Sequence, residues 1–232
     1  MNTAIIVAAG SGQRFAAARP KQFIDLLGKP LIIRTLERFD ACAAIDSIIL
    51  VLSDEGKKEF QNIIRGDEMA KLRSVVTGGA TRGESVRNGF DAIDPIAGDI
   101  VAVHDGARPL VSCDEITRTV NTAQGTGAAC LVADVTDTIK ETEDGYILRT
   151  IDRRSLRRAL TPQAFRYEVL KRALERVDPA APITDECYLV EKIGVKIALV
   201  EGSPRNIKIT RPEDLILAEA IVRADSEATP HV

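Results

Sequence analysis

The start of the chain constrains the fold most. Thr3-Ala4-Ile5-Ile6-Val7-Ala8-Ala9 carries no charge and runs directly into Gly10-Ser11-Gly12. A short, continuously apolar run that ends in glycine is the pattern of a strand buried on both faces. Such strands lie inside parallel sheets, and a parallel sheet needs crossover helices. The following segments alternate accordingly. Helical spacing over Leu31 to Phe39 precedes a strand at Ser47 to Leu52, a helix at Asp54 to Ile64 and a short strand at Ser74 to Thr77. Thr81 caps a helix that runs to Ile93. A strand at Asp99 to Val103 ends at His104-Asp105, and a helix at Cys113 to Gln124 leads to a strand at Ala128 to Ala133. These patterns predict one α/β domain over residues 1–232 with a largely parallel sheet.

Residues 134–157 break the alternation. Val135 to Lys140 and Tyr146 to Thr150 flank Glu143-Asp144-Gly145, a turn sequence that joins antiparallel strands. The stretch reads as a protruding hairpin arm. Helical patterns resume over Gln163 to Val177 and Asp185 to Ile193, with Thr184 and Asp185 as cap and first turn. Val195 to Glu201 reads as a strand, Lys208 falls in a strand-like run, and Pro212 opens the last helix, whose tail frays from about Asp225.

Composition excludes several classes. A net charge of -3 gives no general attraction to nucleic acid or anionic membrane. The cysteines at 42, 113, 130 and 187 form no C-x-x-C pair, and the two histidines, His104 and His231, cannot build a His-rich metal centre. The first apolar run is short and lacks a basic leader, and no run approaches the roughly 18 residues of a membrane span. A reducing cytoplasm is the expected setting.

The loop after the first strand is a candidate phosphate cradle, because glycines let backbone N–H groups approach an anion. Phe15 stands where a dinucleotide fingerprint needs its third glycine, and no G-x-x-x-x-G-K-[S/T] run occurs. Arg14 follows the glycines at once. Pro20 interrupts any helix and leaves Lys21 on a loop that can fold back over them. Two cations above a backbone cradle suit a triphosphate. Gly78-Gly79-Ala80 lies between a strand and a helix cap, where open α/β sheets bind ligands, and could lie against a flat base with Ser85 as a hydrogen-bond partner. Asp105 at a strand mouth is a natural Mg²⁺ ligand beside phosphates. Arg108 either holds phosphate or pairs with Asp105, and His104 reads as a packing or orienting residue.

Several segments together narrow the reading. A-A-G-x-G-x-R with Pro20-Lys21-Gln22 resembles the sugar nucleotidyltransferase signature. Gly78-Gly79-Ala80-Thr81-Arg82-Gly83-Glu84-Ser85-Val86, Val103 to Pro109, Asp137-Thr138-Ile139-Lys140, Leu160-Thr161-Pro162-Gln163, Ile183-Thr184-Asp185-Glu186 and Asn206 to Leu215 resemble segments of the 2-C-methyl-D-erythritol 4-phosphate cytidylyltransferase family, in that family's order. The resemblance implies a three-layer Rossmann-like nucleotidyltransferase fold, Mg²⁺ as cofactor, and CTP and a small sugar-alcohol phosphate as substrates. It implies Arg14, Lys21 and Lys208 as catalytic residues. Ala8, Ala9, Gly10, Gly12, Gly78, Gly79, Ala80 and Ser85 would bind the nucleotide. Asp105, Arg108, Thr138, Arg153, Thr161 and Thr184 would serve the second substrate, with Asp105 also on the metal. It further implies a homodimer through the arm, with Thr138, Arg153 and Thr161 lining a pocket across the dimer.

Most of the basic cluster Arg149, Arg153, Arg154, Arg157 and Arg158 is expected to be solvated. Family members often carry an acidic residue where Ala80 stands. Alanine is neutral if the base is read through backbone and consequential if through a side chain. A ribitol 5-phosphate cytidylyltransferase, a pyrophosphorylase using UTP or GTP, and a non-catalytic nucleotide-binding protein are the alternatives.

Overall fold

The computed structural model describes residues 1–10, 20–64, 69–94, 100–176 and 184–228. Strand β1 (Asn2–Val7) is followed by a 3-10 turn at Lys21–Phe23, α1 (Leu31–Asp40), β2 (Ser47–Leu52), α2 (Asp54–Ile63), β3 (Leu72–Thr77), α3 (Arg82–Asp91), β4 (Ile100–Asp105), α4 (Cys113–Thr126) and β5 (Ala128–Asp134). Next come β6 (Ile139–Glu143), β7 (Tyr146–Ile151), β8 (Arg157–Arg166), α5 (Tyr167–Arg176), α6 (Glu186–Lys192), β9 (Ala198–Glu201) and α7 (Pro212–Ala228). The main sheet has the order β3-β2-β1-β4-β8-β5-β9. β8 runs antiparallel to both its neighbours, and the other pairings in the sheet are parallel.

Alternate residues of the buried strands feed opposite faces, as the two-residue period requires. Ile6, Ile48, Leu50 and Leu131 pack with Ile32, Leu36 and Phe39 of α1, Phe60 of α2 and Ile116 and Val120 of α4. Ile5, Ile49, Val51 and Val103 pack on the other face with Val86 and Phe90 of α3, Leu170 of α5 and Leu189 of α6. The result is three layers, helix on sheet on helix. A third cluster joins Leu26 and Leu31 to Ile209 and Ala218 and so pins α7 and the segment before it beside α1. That segment carries Lys208. It belongs to no strand, and it is held by Ile209 N–H donating to Ala107 O at 2.9 Å. Helix α7 continues past Asp225 to Ala228, and Asp225 pairs with Arg205.

The largest departure from the sequence reading is β8. Helical spacing is expected from Gln163, whereas the strand extends to Arg166 and the helix begins at Tyr167. Residues Leu160 to Phe165 are buried without alternation, so the strand shows no polar face to betray its period. Pro162 also argues against a central strand. It lies where the β5–β8 register slips between Cys130 and Val132, so the missing N–H falls in an irregular part of the ladder. Asp185, and not Thr184, caps α6, accepting from Tyr188 N–H at 2.9 Å.

The hairpin forms between β5 and β8. Its Asp144-Gly145 turn has φ of 49° and 84°, the left-handed pair that a two-residue hairpin connection needs. Tyr146, Ile147 and Leu148 on it are exposed.

Helix α3 sits close on the sheet because Gly89 lacks a side chain. A Cβ there would lie 2.6 Å from Ile5 Cγ2 and 2.9 Å from Val51 Cγ2. Gly89→Ala therefore sets a helix-propensity gain of about 1 kcal/mol against an overpacking cost of about 1–3 kcal/mol. The expected outcome is a net loss of about 1 kcal/mol, read as a lower urea midpoint at unchanged m; a raised midpoint would show that α3 is free to move outward.

Candidate active site

The parallel strands β1, β2, β3 and β4 deliver their carboxyl ends to one edge of the sheet. Backbone bonds beyond the strands hold that edge together: Ala8 N–H to Val51 O at 2.8 Å, Gly78 N–H to Leu52 O at 2.8 Å, and Gly106 N–H to Val7 O at 2.9 Å. A cleft of about 520 Å³ opens there. Ala8, Ala9, Gly10, Lys21, Gly79, Ala80, Ser85, Asp105 and Lys208 line it, together with Thr81, Arg82 and Thr210. Residues from five separate sequence segments thus meet around one cavity. Arg14 and Gly12 lie outside the described residues.

The glycine turn after β3 is shaped by packing. A Cβ on Gly78 would lie 2.4 Å from Ala9 Cβ, and one on Gly79 would lie 2.2 Å from Glu84 Cβ. The turn then enters α3 through a capping box, in which Thr81 Oγ1 accepts from Glu84 N–H and the Glu84 carboxylate accepts from Thr81 N–H. Glu84 Oε2 also accepts from Ala80 N–H at 2.6 Å. Ser85 Oγ accepts from Gly79 N–H at 3.1 Å and donates to Thr81 O at 2.9 Å. The N–H donors of Gly79, Ala80 and Thr81 are therefore engaged within the turn. Gly79 and Ala80 line the cleft with their N–H groups already taken, so their backbone carbonyls remain as the polar groups to accept from a ligand.

Asp105 is the electrostatic centre. Its carboxylate is buried, with Lys208 Nζ 3.0 Å and Arg108 Nε 3.3 Å from Oδ2, and Arg82 Nη2 3.2 Å from Oδ1. Burial works to raise its pKa, but Arg82, Lys208 and Arg108 outweigh that and hold the group well below the usual carboxylate range. One carboxylate at the cleft wall suits Mg²⁺, which takes one or two carboxylates together with phosphate oxygens and water. Among the described residues no group of three or more His, Cys, Asp or Glu side chains could hold a metal. Asp105 is the carboxylate among the described residues that line the cleft, so a magnesium ion held there would have to take most of its shell from substrate phosphates and water.

Arg82 is the site residue that sequence reasoning left without a role. It occupies the first position of α3, where the helix dipole disfavours a cation, and that placement is the signal available in sequence. Its other donor goes to Glu186 Oε1 of α6. Glu186 is fully buried, and its Oε2 has no hydrogen-bond partner among the described residues. Burial pushes the Glu186 pKa up against the pull of Arg82. Arg82 itself, despite burial, is held above its ordinary range by Glu186 and Asp105.

The remaining predicted residues separate into two groups. Arg108 is buried behind Asp105 and donates to Asn206 O at 2.8 Å. Thr161 is also buried; its Oγ1 accepts from Asp105 N–H at 3.1 Å and lies 3.0 Å from His104 Nδ1. Thr138, Arg153 and Thr184 are exposed and do not line the cleft of this single chain. Arg153 donates to Thr136 O.

His104 Nε2 lies 3.1 Å from Arg108 O, a pure acceptor, so Nε2 carries the proton and Nδ1 accepts from the Thr161 hydroxyl. The ring packs on Phe39 at 4.7 Å between centroids. Burial is the main cause that lowers its pKa from 6.5 to about 4. The folded state thus binds the proton more weakly than the unfolded chain. The stabilisation is complete above the unfolded value and is lost as pH falls toward the folded one. In metal-free buffer, wild type is expected to lose about 2 kcal/mol more than His104→Gln between about pH 6.5 and pH 4.5. Parallel stability–pH curves from chemical unfolding would contradict a neutral buried imidazole.

Residues 2–224 match the family described as IspD: 2-C-methyl-D-erythritol 4-phosphate cytidylyltransferase. A 2-C-methyl-D-erythritol 4-phosphate cytidylyltransferase of Bacillus velezensis is 43% identical, with 96% of each chain covered. One of Geobacter metallireducens is 41% identical, covering 95% of this chain and 97% of the relative. The crystal structure of 4-diphosphocytidyl-2C-methyl-D-erythritol synthase from Anaerococcus prevotii superposes with a TM-score of 0.83 at 31% identity, covering 96% of each chain.

Proposed function

The chain belongs to the 2-C-methyl-D-erythritol 4-phosphate cytidylyltransferase family, and on that premise we propose that it transfers a cytidylyl group from CTP to 2-C-methyl-D-erythritol 4-phosphate. The products are 4-diphosphocytidyl-2-C-methyl-D-erythritol and pyrophosphate, a step of non-mevalonate isoprenoid precursor synthesis. The observation that carries this reading is the meeting of Lys21, Lys208 and Asp105 with the glycine turn around one cleft.

An acceptor phosphate oxygen attacks the α-phosphorus of CTP, and the bond to the β,γ-pyrophosphate breaks. The acceptor phosphate is already largely ionised near pH 7, so no strong general base is required. The obstacle is repulsion between two anions. Lys21 and Lys208 oppose it at the cleft wall, with Arg14 assigned to the same task by its motif position. Ile209 O accepts from Lys21 Nζ at 3.5 Å, which places the two lysines on adjoining segments. Asp105 would hold Mg²⁺, which when bound would supply further neutralisation of phosphate charge. The acceptor carbonyls of the turn at Gly78-Gly79-Ala80 suit the exocyclic amine of cytosine, which is a donor. Readout through the backbone makes the alanine at position 80 compatible with CTP.

The function is tested by pyrophosphate release with magnesium, pairing CTP, UTP, GTP or ATP with 2-C-methyl-D-erythritol 4-phosphate, ribitol 5-phosphate or no acceptor. Release is expected with CTP and the branched tetritol phosphate. Release with ribitol phosphate would move the substrate assignment. Lys21→Ala is expected to lower kcat by about 10²–10³-fold with a much smaller change in CTP affinity; an unaltered kcat would remove Lys21 from the chemistry.

The arm is the proposed dimer contact, lending Thr138 and Arg153 to a neighbouring cleft. The support is physical: an isolated two-stranded hairpin is marginal in water, and this one exposes Tyr146, Ile147 and Leu148 in a row. Ile147→Asp with Leu148→Asp is expected to give a monomer by sedimentation that has lost turnover but keeps CTP binding. A fully active monomer would refute the shared site. Among the described residues no helix is long and apolar enough to cross a membrane. The four cysteines are free thiols, which suits the cytoplasm proposed as its setting.

A further inference from the structure

The four free thiols fall into two neighbouring pairs, and neither pair lines the cleft. Cys130 of β5 and Cys187 of α6 are only 5% and 6% exposed. The Cys187 thiol is pushed far above its ordinary range by its hydrogen bond with Cys130 and by burial. A buried thiol held protonated is a poor nucleophile.

Cys42 and Cys113 are placed differently. Cys42 follows the end of α1, and Cys113 is the first residue of α4. Cys42 Sγ donates to Cys113 O at 3.7 Å and lies 3.4 Å from Thr117 Oγ1 of α4. Cys113 Sγ donates to Arg38 O, in the last turn of α1, at 3.5 Å. Each thiol therefore reaches the other's element, and both occupy one gap between α1 and α4. Cys42 is 1% exposed, whereas Cys113 is half-buried and lines a surface cavity of about 320 Å³ with Arg34, Glu37 and Arg38. One thiol is open to a small oxidant and the second stands directly behind it, the layout of an attacking and a resolving cysteine. Burial and the neighbouring Cys42 raise the Cys113 pKa against the pull of Arg38. The helix N-terminus at Cys113 favours negative charge and so also opposes that rise.

We propose that Cys42 and Cys113 are a reversible oxidation site, which a peroxide closes to a disulfide that staples the end of α1 to the start of α4. The Cys113 thiolate attacks one peroxide oxygen, the O–O bond breaks and one water leaves, giving a sulfenic acid. The Cys42 sulfur then attacks the Cys113 sulfur, the S–O bond breaks and a second water leaves. The two thiols are oxidised, the peroxide is reduced, and the thiol protons end in the two waters. The crosslink joins residues 71 apart in sequence. The stretch it closes holds β2, β3, α3 and β4, so oxidation restrains the unfolded chain over the part of the sheet that bears the cleft. This site is independent of the reaction proposed above, and its test needs no turnover.

The experiment exposes the reduced protein to hydrogen peroxide at about pH 8.5, where thiolate is more abundant. Remaining thiols are then alkylated, and the protein is digested without reductant for mass spectrometry. A linked Cys42–Cys113 peptide pair, two hydrogens lighter than the separate peptides and cleaved by dithiothreitol, is expected. The thermal midpoint of the oxidised protein is expected to rise by about 5–10 °C. Both effects should be absent in Cys113→Ser, whose half-buried position tolerates the change, and in Cys42→Ala. Sulfinic acid at Cys113 with Cys42 still alkylated would show that the thiols do not meet and would overturn the site. A Cys130–Cys187 link in its place would overturn the assignment of the pair. A Cys42–Cys113 link that leaves the midpoint unmoved would overturn the staple.

Discussion

A single buried negative charge organises the active edge of this protein. Asp105 ends β4 inside the sheet wall, where an unpaired carboxylate would be expensive to hold. Its stabilisation draws in distant parts of the chain. Arg82 comes from α3, Arg108 from the loop after β4, and Lys208 from the segment before α7. Through Arg82 the same charge reaches Glu186 and hence α6, and through its backbone N–H it reaches Thr161 of β8. The C-terminal segment is also held by the apolar cluster around Ile209 and Ala218 and by Ser203 N–H donating to Glu115 Oε1. Its ion pair with Asp105, its bond to Ala107 O and the Asn206 amide on Thr161 O make a segment without regular structure part of the site.

Close packing is the second constraint, and it explains residues that look functional for other reasons. Gly106 lies where a Cβ would be 2.8 Å from Ala8 Cβ and 3.0 Å from Ile32 Cδ1, so the strand mouths approach each other only if it has no side chain. Gly78 and Gly79 are held to the same standard by Ala9 and Glu84. The chain is small at each of these points because a side chain there would collide with its neighbours. The capping box of α3 uses up the local N–H donors and leaves the carbonyls of Gly79 and Ala80, two residues of the cleft lining, to accept. Helix stability and ligand chemistry are therefore set by the same few atoms.

Much of the architecture was legible along the chain. Asp144-Gly145 supplies the two left-handed positions that a tight hairpin requires, and the hairpin is where that pair predicts it. Thr81 with Glu84 and Ser112 with Glu115 mark two helix starts by reciprocal hydrogen bonds. The α/β alternation and the glycine-ended first strand locate the ligand edge before any coordinates. β8 escaped because a strand buried on both faces has no period to read, and because its proline fits a central strand only through an irregular register that belongs to its partner β5. Arg82 escaped for a related reason: its partners Asp105 and Glu186 are 23 and 104 residues away.

The sequence by itself determined the local chemistry: most of the strands and helices, where glycine turns fall, and which cations follow the phosphate loop. These are matters of spacing, propensity and steric size within a few residues. Tertiary structure alone decided the pairing of charges. Whether Asp105 faces one cation or three depends on the sheet order and on the docking of α6 and α7. Those arise from apolar packing across the whole domain and leave no mark on neighbouring positions. The burial of that pairing, which makes it strong, is likewise a property of the assembled layers.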